Sequence, residues 1–213
     1  VRLELADGGT VYIEGIIDRV DEIRGEENDP ANYLRVIDYK TGDTRFRRQD
    51  VTEGIRLQLM IYLEGALGGI PDARPAGVFY FPAGEKSRDV SDMAAEDTDV
   101  YTTGTRLDGA LIKHDGIIEG MDSTIGMNEE SDVIPVRRSG KGYVNLRSSS
   151  RVMDSEDFGK MMEEADAVLQ DAAEQLAGGS AAVSPKRTGG FNACNYCGFD
   201  SICHRKVAGG QTE

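Results

Sequence analysis

The sequence predicts an α/β fold of the α+β kind: a mixed central sheet flanked by helices, followed by a cysteine-bearing C-terminal tail. Three observations carry this. The runs Val11–Arg19 and Tyr33–Lys40 are rich in β-branched and aromatic residues and are bounded by Gly, Asn, Asp or Pro, so each reads as a strand. Apolar residues then recur at helical spacing over 52–67 and lead into a third such run at 75–81, the strand–helix–strand order of a crossover unit. Finally, 213 residues with 39% hydrophobic content can bury one sizeable core. No apolar run approaches the ~18 residues needed to span a membrane.

Taken in order, residues 1–6 and 11–24 flank Asp7-Gly8-Gly9 and are expected to form a β-hairpin. Asn28-Asp29-Pro30 breaks the chain before the strand that ends at Asp38-Tyr39-Lys40. A helix is expected from Thr52 as N-cap to about Leu67, stopped by Gly68-Gly69, with Ile55, Leu59, Tyr62, Leu63 and Ala66 on its apolar face. Pro75-Ala76-Gly77-Val78-Phe79-Tyr80-Phe81 is the third core strand, closed by Pro82. From Glu85 to Asp132 the chain carries 13 acidic and 4 basic residues, much of the net charge of −14. Asp89, Asp92, Glu96, Asp97 and Asp99 lie there among Ser, Thr and Gly, which predicts an exposed acidic insertion over about 85–132 with a short element near Leu107 to Met121. Ile134-Pro135-Val136 and Tyr143-Val144-Asn145-Leu146 suggest short edge strands. A second helix starts near Asp154 or Ser155 and ends at Gly178-Gly179. Its apolar stripe is Phe158, Met161, Ala165, Val168, Leu169, Ala172 and Leu176, a core-packing face. From Ser184 onward there is no periodicity, so the expected organisation is a core over 1–183 and a tail over 184–213.

The chemistry concentrates at the ends of the first two apolar runs. Side chains alternate along a strand, so Asp38 and Lys40 share a face while Tyr39 points away. Two strands that each deliver a carboxylate, Asp18 and Asp38, can build a site for a hard divalent cation such as Mg²⁺ or Mn²⁺, with the Lys40 ammonium beside it. Such a cation can acidify a water and counter charge on a phosphate, and a lysine can orient that water, so the set suits phosphodiester hydrolysis. Downstream, Gln58 and Tyr62 stand four apart and share a helix face. Glu14 shares the strand face of Asp18 by parity, and His114, between Lys113 and Asp115, reads as a surface residue.

All three cysteines, Cys194, Cys197 and Cys203, fall in a C-x2-C-x5-C motif. An odd, clustered set argues for a metal site over a disulfide framework. Zinc would need His204 as the fourth ligand, awkwardly adjacent to Cys203, and an iron–sulfur cluster would need a fourth thiolate from elsewhere.

Gly15-Ile16-Ile17-Asp18-Arg19, Asp38-Tyr39-Lys40 and Gln58-Leu59-Met60-Ile61-Tyr62 together resemble the G-x-x-D-R, D-x-K and Q-x-x-x-Y motifs of the PD-(D/E)XK nuclease superfamily, in particular its RecB-like members. The resemblance implies a restriction-endonuclease-like sheet and a Mg²⁺- or Mn²⁺-dependent deoxyribonuclease, an exonuclease, with Asp18 and Asp38 as metal ligands and Lys40 catalytic. Gln58 and Tyr62 would support the site, and the Tyr39 backbone carbonyl would be an additional ligand. The order of the later elements, with Ile134-Pro135-Val136-Arg137, a long helix and the cysteine tail, is most similar to the C-terminal nuclease domain of the AddB-type subunit of bacterial ATP-dependent helicase/deoxyribonucleases. By that resemblance the three cysteines are ligands of a 4Fe–4S cluster whose fourth, upstream cysteine is absent from these 213 residues. The partners would be DNA and a helicase-bearing A subunit, in the bacterial cytoplasm, with the complex processing double-strand DNA ends for recombinational repair. A stand-alone exonuclease, or an inactive nuclease-fold scaffold that binds DNA, are the alternatives. The chain opens at Val1 inside an apparent strand without an initiator methionine, the expectation for a piece cut from a longer protein.

Net charge −14 sits badly with a domain that grips DNA by itself, so delivery by a partner is expected. The basic residues Arg45, Arg47 and Arg48, with Arg35 and Arg56 flanking the same elements, are the candidates for backbone phosphate contacts.

Overall fold

A computed structural model describes residues 1–25, 29–42, 44–83, 106–146, 151–188, 191–199 and 202–203. The chain opens with a small hairpin, β1 (Arg2–Glu4) and β2 (Thr10–Tyr12), turned at Gly8 with φ +85°. The expected long second arm is broken: residues 13–18 are not strand, and β3 begins only at Arg19 (Arg19–Arg24). Parity along one strand therefore no longer links Glu14 to Asp18. β3 pairs antiparallel with β4 (Asn32–Lys40).

The expected single helix is two. α1 (Arg48–Thr52) ends with Thr52 as its last residue, and α2 (Gln58–Gly69) starts at Gln58. Gly54 at φ +70° stops the first helix. The carbonyl of Asp50 then accepts the N–H groups of both Ile55 and Arg56, at 2.8 and 3.2 Å, so the chain turns before it can resume helical bonding. β5 (Arg74–Pro82) lies parallel to β4, completing the crossover.

The acidic stretch divides. Residues 84–105, with Asp89, Asp92, Glu96, Asp97 and Asp99, lie outside the described residues. The remainder corrects the expectation of an exposed insertion reaching residue 132. β6 (Asp108–Ile112) is buried throughout and pairs antiparallel with β5, and α3 (Asp115–Met121) buries Ile117, Ile118 and Met121. The acidic count masked a core strand whose later positions are glycine or apolar. Gly109 is required there, because a Cβ would meet the Val78 carbonyl oxygen and Phe79 at contact distances below 3 Å.

The expected edge strands pair with each other instead, as a separate hairpin β7 (Val136–Ser139) and β8 (Gly142–Asn145). The true edge is β9 (Val152–Met153), parallel to β6, which has too little pattern to be read from sequence. The central sheet thus runs β3–β4–β5–β6–β9. α4 (Ser155–Ala177) begins as expected, with Asp154 accepting the Asp157 N–H at 2.8 Å. Its stripe buries Phe158, Met161, Ala165 and Leu169 but shifts to Ala173 in the last turns. Ala172 is exposed and Leu176 is 76% exposed. The tail holds a short pair, β10 (Arg187–Thr188) and β11 (Phe191–Asn192), and a 3-10 turn over Ala193–Tyr196.

α2 and α4 lie on the sheet face that carries Asp38 and Lys40, with α1 packed against α4. α3 lies on the other face, against β3, where Ile23 meets Gly120. Between α2 and α4, Glu64 faces Asp166. Burial first, then the charge of Asp166 and a shared hydrogen bond, raise the Glu64 carboxyl, and burial raises Asp166.

This packing can be probed at two glycines and at the carboxyl pair. Gly109→Ala should cost about 2–3 kcal/mol in a urea melt, since the clash is with backbone. Gly159→Ala in α4, where a Cβ meets nothing within 4 Å, should instead stabilise by roughly 0.5–1 kcal/mol. For the carboxyl pair the sign is set by raised folded-state values. The contact is fully present below the ordinary carboxylate range and is lost as pH rises through the folded pKa. Glu64→Gln should therefore raise the melting temperature more at pH 8 than at pH 4, and an equal shift at both would show that the pair is not proton-linked.

Candidate active site

At the carboxyl end of β4, Asp38 is only 3% exposed. Its Oδ2 meets the Lys40 Nζ at 2.5 Å and has no other hydrogen-bond partner among the described residues. Lys40 can reach because residues two apart on a strand share a face. The same ammonium donates to Gln58 Oε1 at 2.8 Å, and Gln58 Nε2 donates to the Tyr62 hydroxyl at 2.9 Å. Beginning α2 at Gln58 sets Gln58 and Tyr62 one helical turn apart on the face toward β4. Asp38, Lys40, Gln58 and Tyr62 thus form one continuous polar chain.

Asp18 is exposed and stands immediately before β3. Its Oδ2 accepts the backbone N–H of Tyr39 at 2.9 Å, which fixes it to the peptide that follows Asp38. The segment leading to Asp18 comes close to α2, since a Cβ on Gly15 would meet Tyr62 Cε1 at 3.0 Å. The Tyr39 side chain lies on the opposite face, 42% exposed, with its ring edge-on to Phe81 at 5.3 Å.

Behind this row lies a polar layer that sequence reasoning did not single out. Tyr80 pairs in register with Asp38 on one side and Asp108 on the other. Its ring lies 5.7 Å from Lys40 Nζ. Burial raises the Tyr80 phenol to about 12; Arg56 opposes this, and the charges of Asp38 and Asp50 reinforce it. Asp50 is 3% exposed and meets Arg56 Nε at 3.4 Å, while buried Asp108 takes the Arg151 guanidinium and the Phe46 N–H. Strand register and loop closure bring these residues together, and neither is written in local pattern.

The basic candidates separate. Arg48 is held by both carboxylate oxygens of Glu164, at 3.1 and 3.2 Å, and so ties α1 to α4. Arg35 is held by Asp21 at 2.7 Å. Arg45 and Arg47 are exposed on the loop between β4 and α1. His114 is half-buried rather than on the open surface. Its Nδ1 accepts the Ile117 N–H as the cap of α3, and its ring lies 5.7 Å from Tyr33.

In the tail, Cys194 and Cys203 are half-buried and Cys197 is exposed, all three as free thiols. Asn192 caps the Cys194 N–H, and the Cys203 N–H bonds the Phe199 carbonyl at 2.9 Å. His204 lies outside the described residues. Among the described residues no group of three or more His, Cys, Asp or Glu side chains is gathered to hold a metal ion. The Asp18–Asp38 pair is a smaller set. Two carboxylates are the protein share that Mg²⁺ takes when water and phosphate complete its shell.

Comparison with known proteins agrees with this geometry. Nearly the whole chain aligns with bacterial proteins named as the B subunit of an ATP-dependent helicase/deoxyribonuclease. That of Alkaliphilus metalliredigens is 30% identical over 207 residues, covering 94% of this chain and 18% of the relative. That of a Thermoanaerobacter species is 32% identical over 212 residues, covering 95% and 18%. That of Desulforudis audaxviator is 34% identical over 209 residues, covering 93% and 17%. The chain therefore spans under a fifth of the length of these relatives. A profile of the PD-(D/E)XK nuclease superfamily matches residues 1–204, and with the mixed sheet, its flanking helices and these relatives the chain belongs to the PD-(D/E)XK nuclease superfamily.

Proposed function

We propose that this domain hydrolyses DNA phosphodiesters with Mg²⁺ or Mn²⁺, as the nuclease part of a helicase–nuclease complex that processes double-strand ends. The observation that carries it is the buried Asp38 carboxylate, ion-paired to Lys40 with Asp18 pinned to the next peptide. A buried carboxylate with an unbonded lone pair is costly unless a cation completes it. Asp18, Asp38 and the Tyr39 carbonyl would hold the divalent ion. When bound, that ion supplies acidification of a water and charge neutralisation at the phosphate.

The chain's own groups do the rest. Lys40 orients the attacking water and offsets charge that develops on the phosphate, and Gln58 keeps its ammonium aimed by accepting one of its three protons. Tyr62 in turn fixes the Gln58 amide through its hydroxyl. Arg45 and Arg47, on the loop that follows Lys40, suit backbone phosphates, whereas Arg48 is engaged by Glu164.

The names of the relatives support DNA as substrate and a helicase-bearing A subunit as partner, and the setting of that reading is the bacterial cytoplasm. Among the described residues no helix is long and apolar enough to cross a membrane. Cys194, Cys197 and Cys203 would supply three of the four thiolates of a 4Fe–4S cluster in a longer protein, the tail over 184–213 serving as its clasp beside a nuclease core over 1–183. Three thiols do not complete that site by themselves, so no step of the hydrolysis is routed through it.

Calorimetric titration with Mn²⁺ tests the reading, with cleavage of single-stranded DNA followed in parallel. Asp38→Asn should remove Mn²⁺ binding and lower the cleavage rate on the order of a hundredfold or more, as loss of a central charge-stabilising group does. Retention of both by the variant would sink the assignment of Asp38, and a wild-type protein that neither binds Mn²⁺ nor cleaves would favour a scaffold that merely keeps the nuclease fold.

A further inference from the structure

Tyr80 stands between two buried carboxylates. On β5 the positions that share its face, Ala76 and Val78, are apolar and fully buried, and the column then ends in a phenol only 3% exposed. Strand register sets Tyr80 beside Asp38 of β4 on one side and Asp108 of β6 on the other. Residues paired across strands point to the same face, and two strand spacings span roughly 10 Å, so one aromatic residue separates the two acids. Each acid has its own cation, Lys40 at Asp38 and Arg151 at Asp108.

Lys40 is the harder of the two cations to hold. Its charge rides on a flexible four-carbon stem as a point charge, without the planar fork that orients a guanidinium. Asp38 and Gln58 take two of its three protons. Its Nζ also stands over the Tyr80 ring, 5.7 Å from the centroid, inside the ~6 Å within which an ammonium is drawn to a ring face. That attraction acts on the charge as a whole and does not require a proton of its own. It therefore restrains the ammonium while one N–H stays available for a water. An aliphatic side chain would continue the packing of Ala76 and Val78 but would offer Lys40 no such face.

We propose that Tyr80 is a positioning residue for the hydrolysis, its ring holding the Lys40 ammonium against Asp38 with one proton left for the attacking water. This deepens the nuclease reading, on which it rests for the role of Lys40, by naming a further residue that acts through that lysine. The ring is set by strand register and burial, so it is already in place before substrate arrives. Small displacements of a catalytic group cost large factors in rate, which is why a third restraint on a flexible stem matters.

The test is a proton–carbon NMR spectrum of the 213-residue protein carrying isotope-labelled lysine, with cleavage of single-stranded DNA in Mn²⁺ followed in parallel. The Lys40 signal, assigned by its absence from Lys40→Arg, should show ε-methylene protons shifted upfield of those of exposed Lys113 and Lys160 by the ring current of Tyr80. Tyr80→Leu should abolish that shift and lower kcat about three- to thirtyfold, the span from exposed to desolvated cation–π contacts, with KM and Mn²⁺ affinity within about twofold of wild type. Tyr80→Phe keeps a ring face and should recover the shift and most of the rate. Tyr80→Leu with a lower melting temperature but wild-type kcat would overturn the proposal and leave Tyr80 as a packing residue. So would a wild-type Lys40 signal without the upfield shift, an outcome that requires no variant to fold. A wild-type protein that shows the shift but cleaves no DNA is a different failure. It would count against the nuclease reading, while loss of the shift in Tyr80→Leu would still support Tyr80 as the residue that positions Lys40.

Discussion

Burial of the Asp38 carboxylate is the constraint from which the site's architecture follows. A charge taken out of water costs several kcal/mol unless a partner and further hydrogen bonds compensate it. Lys40 is placed to compensate because the strand puts it on the same face two residues later. That in turn buries part of a lysine, whose remaining protons need acceptors, and Gln58 supplies one. Gln58 has its own amide to satisfy and does so on Tyr62. The Tyr62 ring then crowds residue 15, where a Cβ would stand 3.0 Å from its Cε1, so the approach to Asp18 runs close against α2. One ion pair therefore fixes the relation of β4, the start of α2 and the segment before β3, elements separated by 44 residues of chain from Asp18 to Tyr62.

The same chain of dependence explains which parts could be read from sequence. β4 and the helix after it were legible because their signals are local: a dense β-branched run ending in Asp38-Tyr39-Lys40, and apolar spacing around Gln58 and Tyr62. The helix boundary was not, since Thr52 looks like an N-cap while the decisive events are the positive φ of Gly54 and two N–H groups sharing the Asp50 carbonyl. The break at 13–18 was hidden because Val11 to Arg19 is strand-like in composition, while in the fold this segment passes beside Tyr62 of α2. β6 was concealed by charge counting. Asp108, at its first position, is buried by pairing with Arg151, an event 43 residues distant in sequence. Tyr80 escaped because strand register, not residue type, brings it beside Asp38, and Asp50 because it is buried by the turn that closes between the first two helices.

Electrostatics constrains how such a site can meet its substrate. A net charge of −14 would seem to repel a polyanion, and the arginines near the site do not reverse it. Arg35 answers Asp21, Arg48 answers Glu164, Arg56 answers Asp50 and Arg151 answers Asp108, so much of the local positive charge is already matched by carboxylate. Such pairs present dipoles rather than a broad cationic field, and salt screens what remains beyond about 8–10 Å. Long-range steering of a polyanion by this domain is therefore weak, and on the proposed reading affinity comes from short-range contacts at the Asp38–Lys40 site. A site that captures poorly but holds a phosphate well at close range works best when another part of an assembly feeds the strand to it. On the proposed reading a helicase-bearing partner provides that delivery.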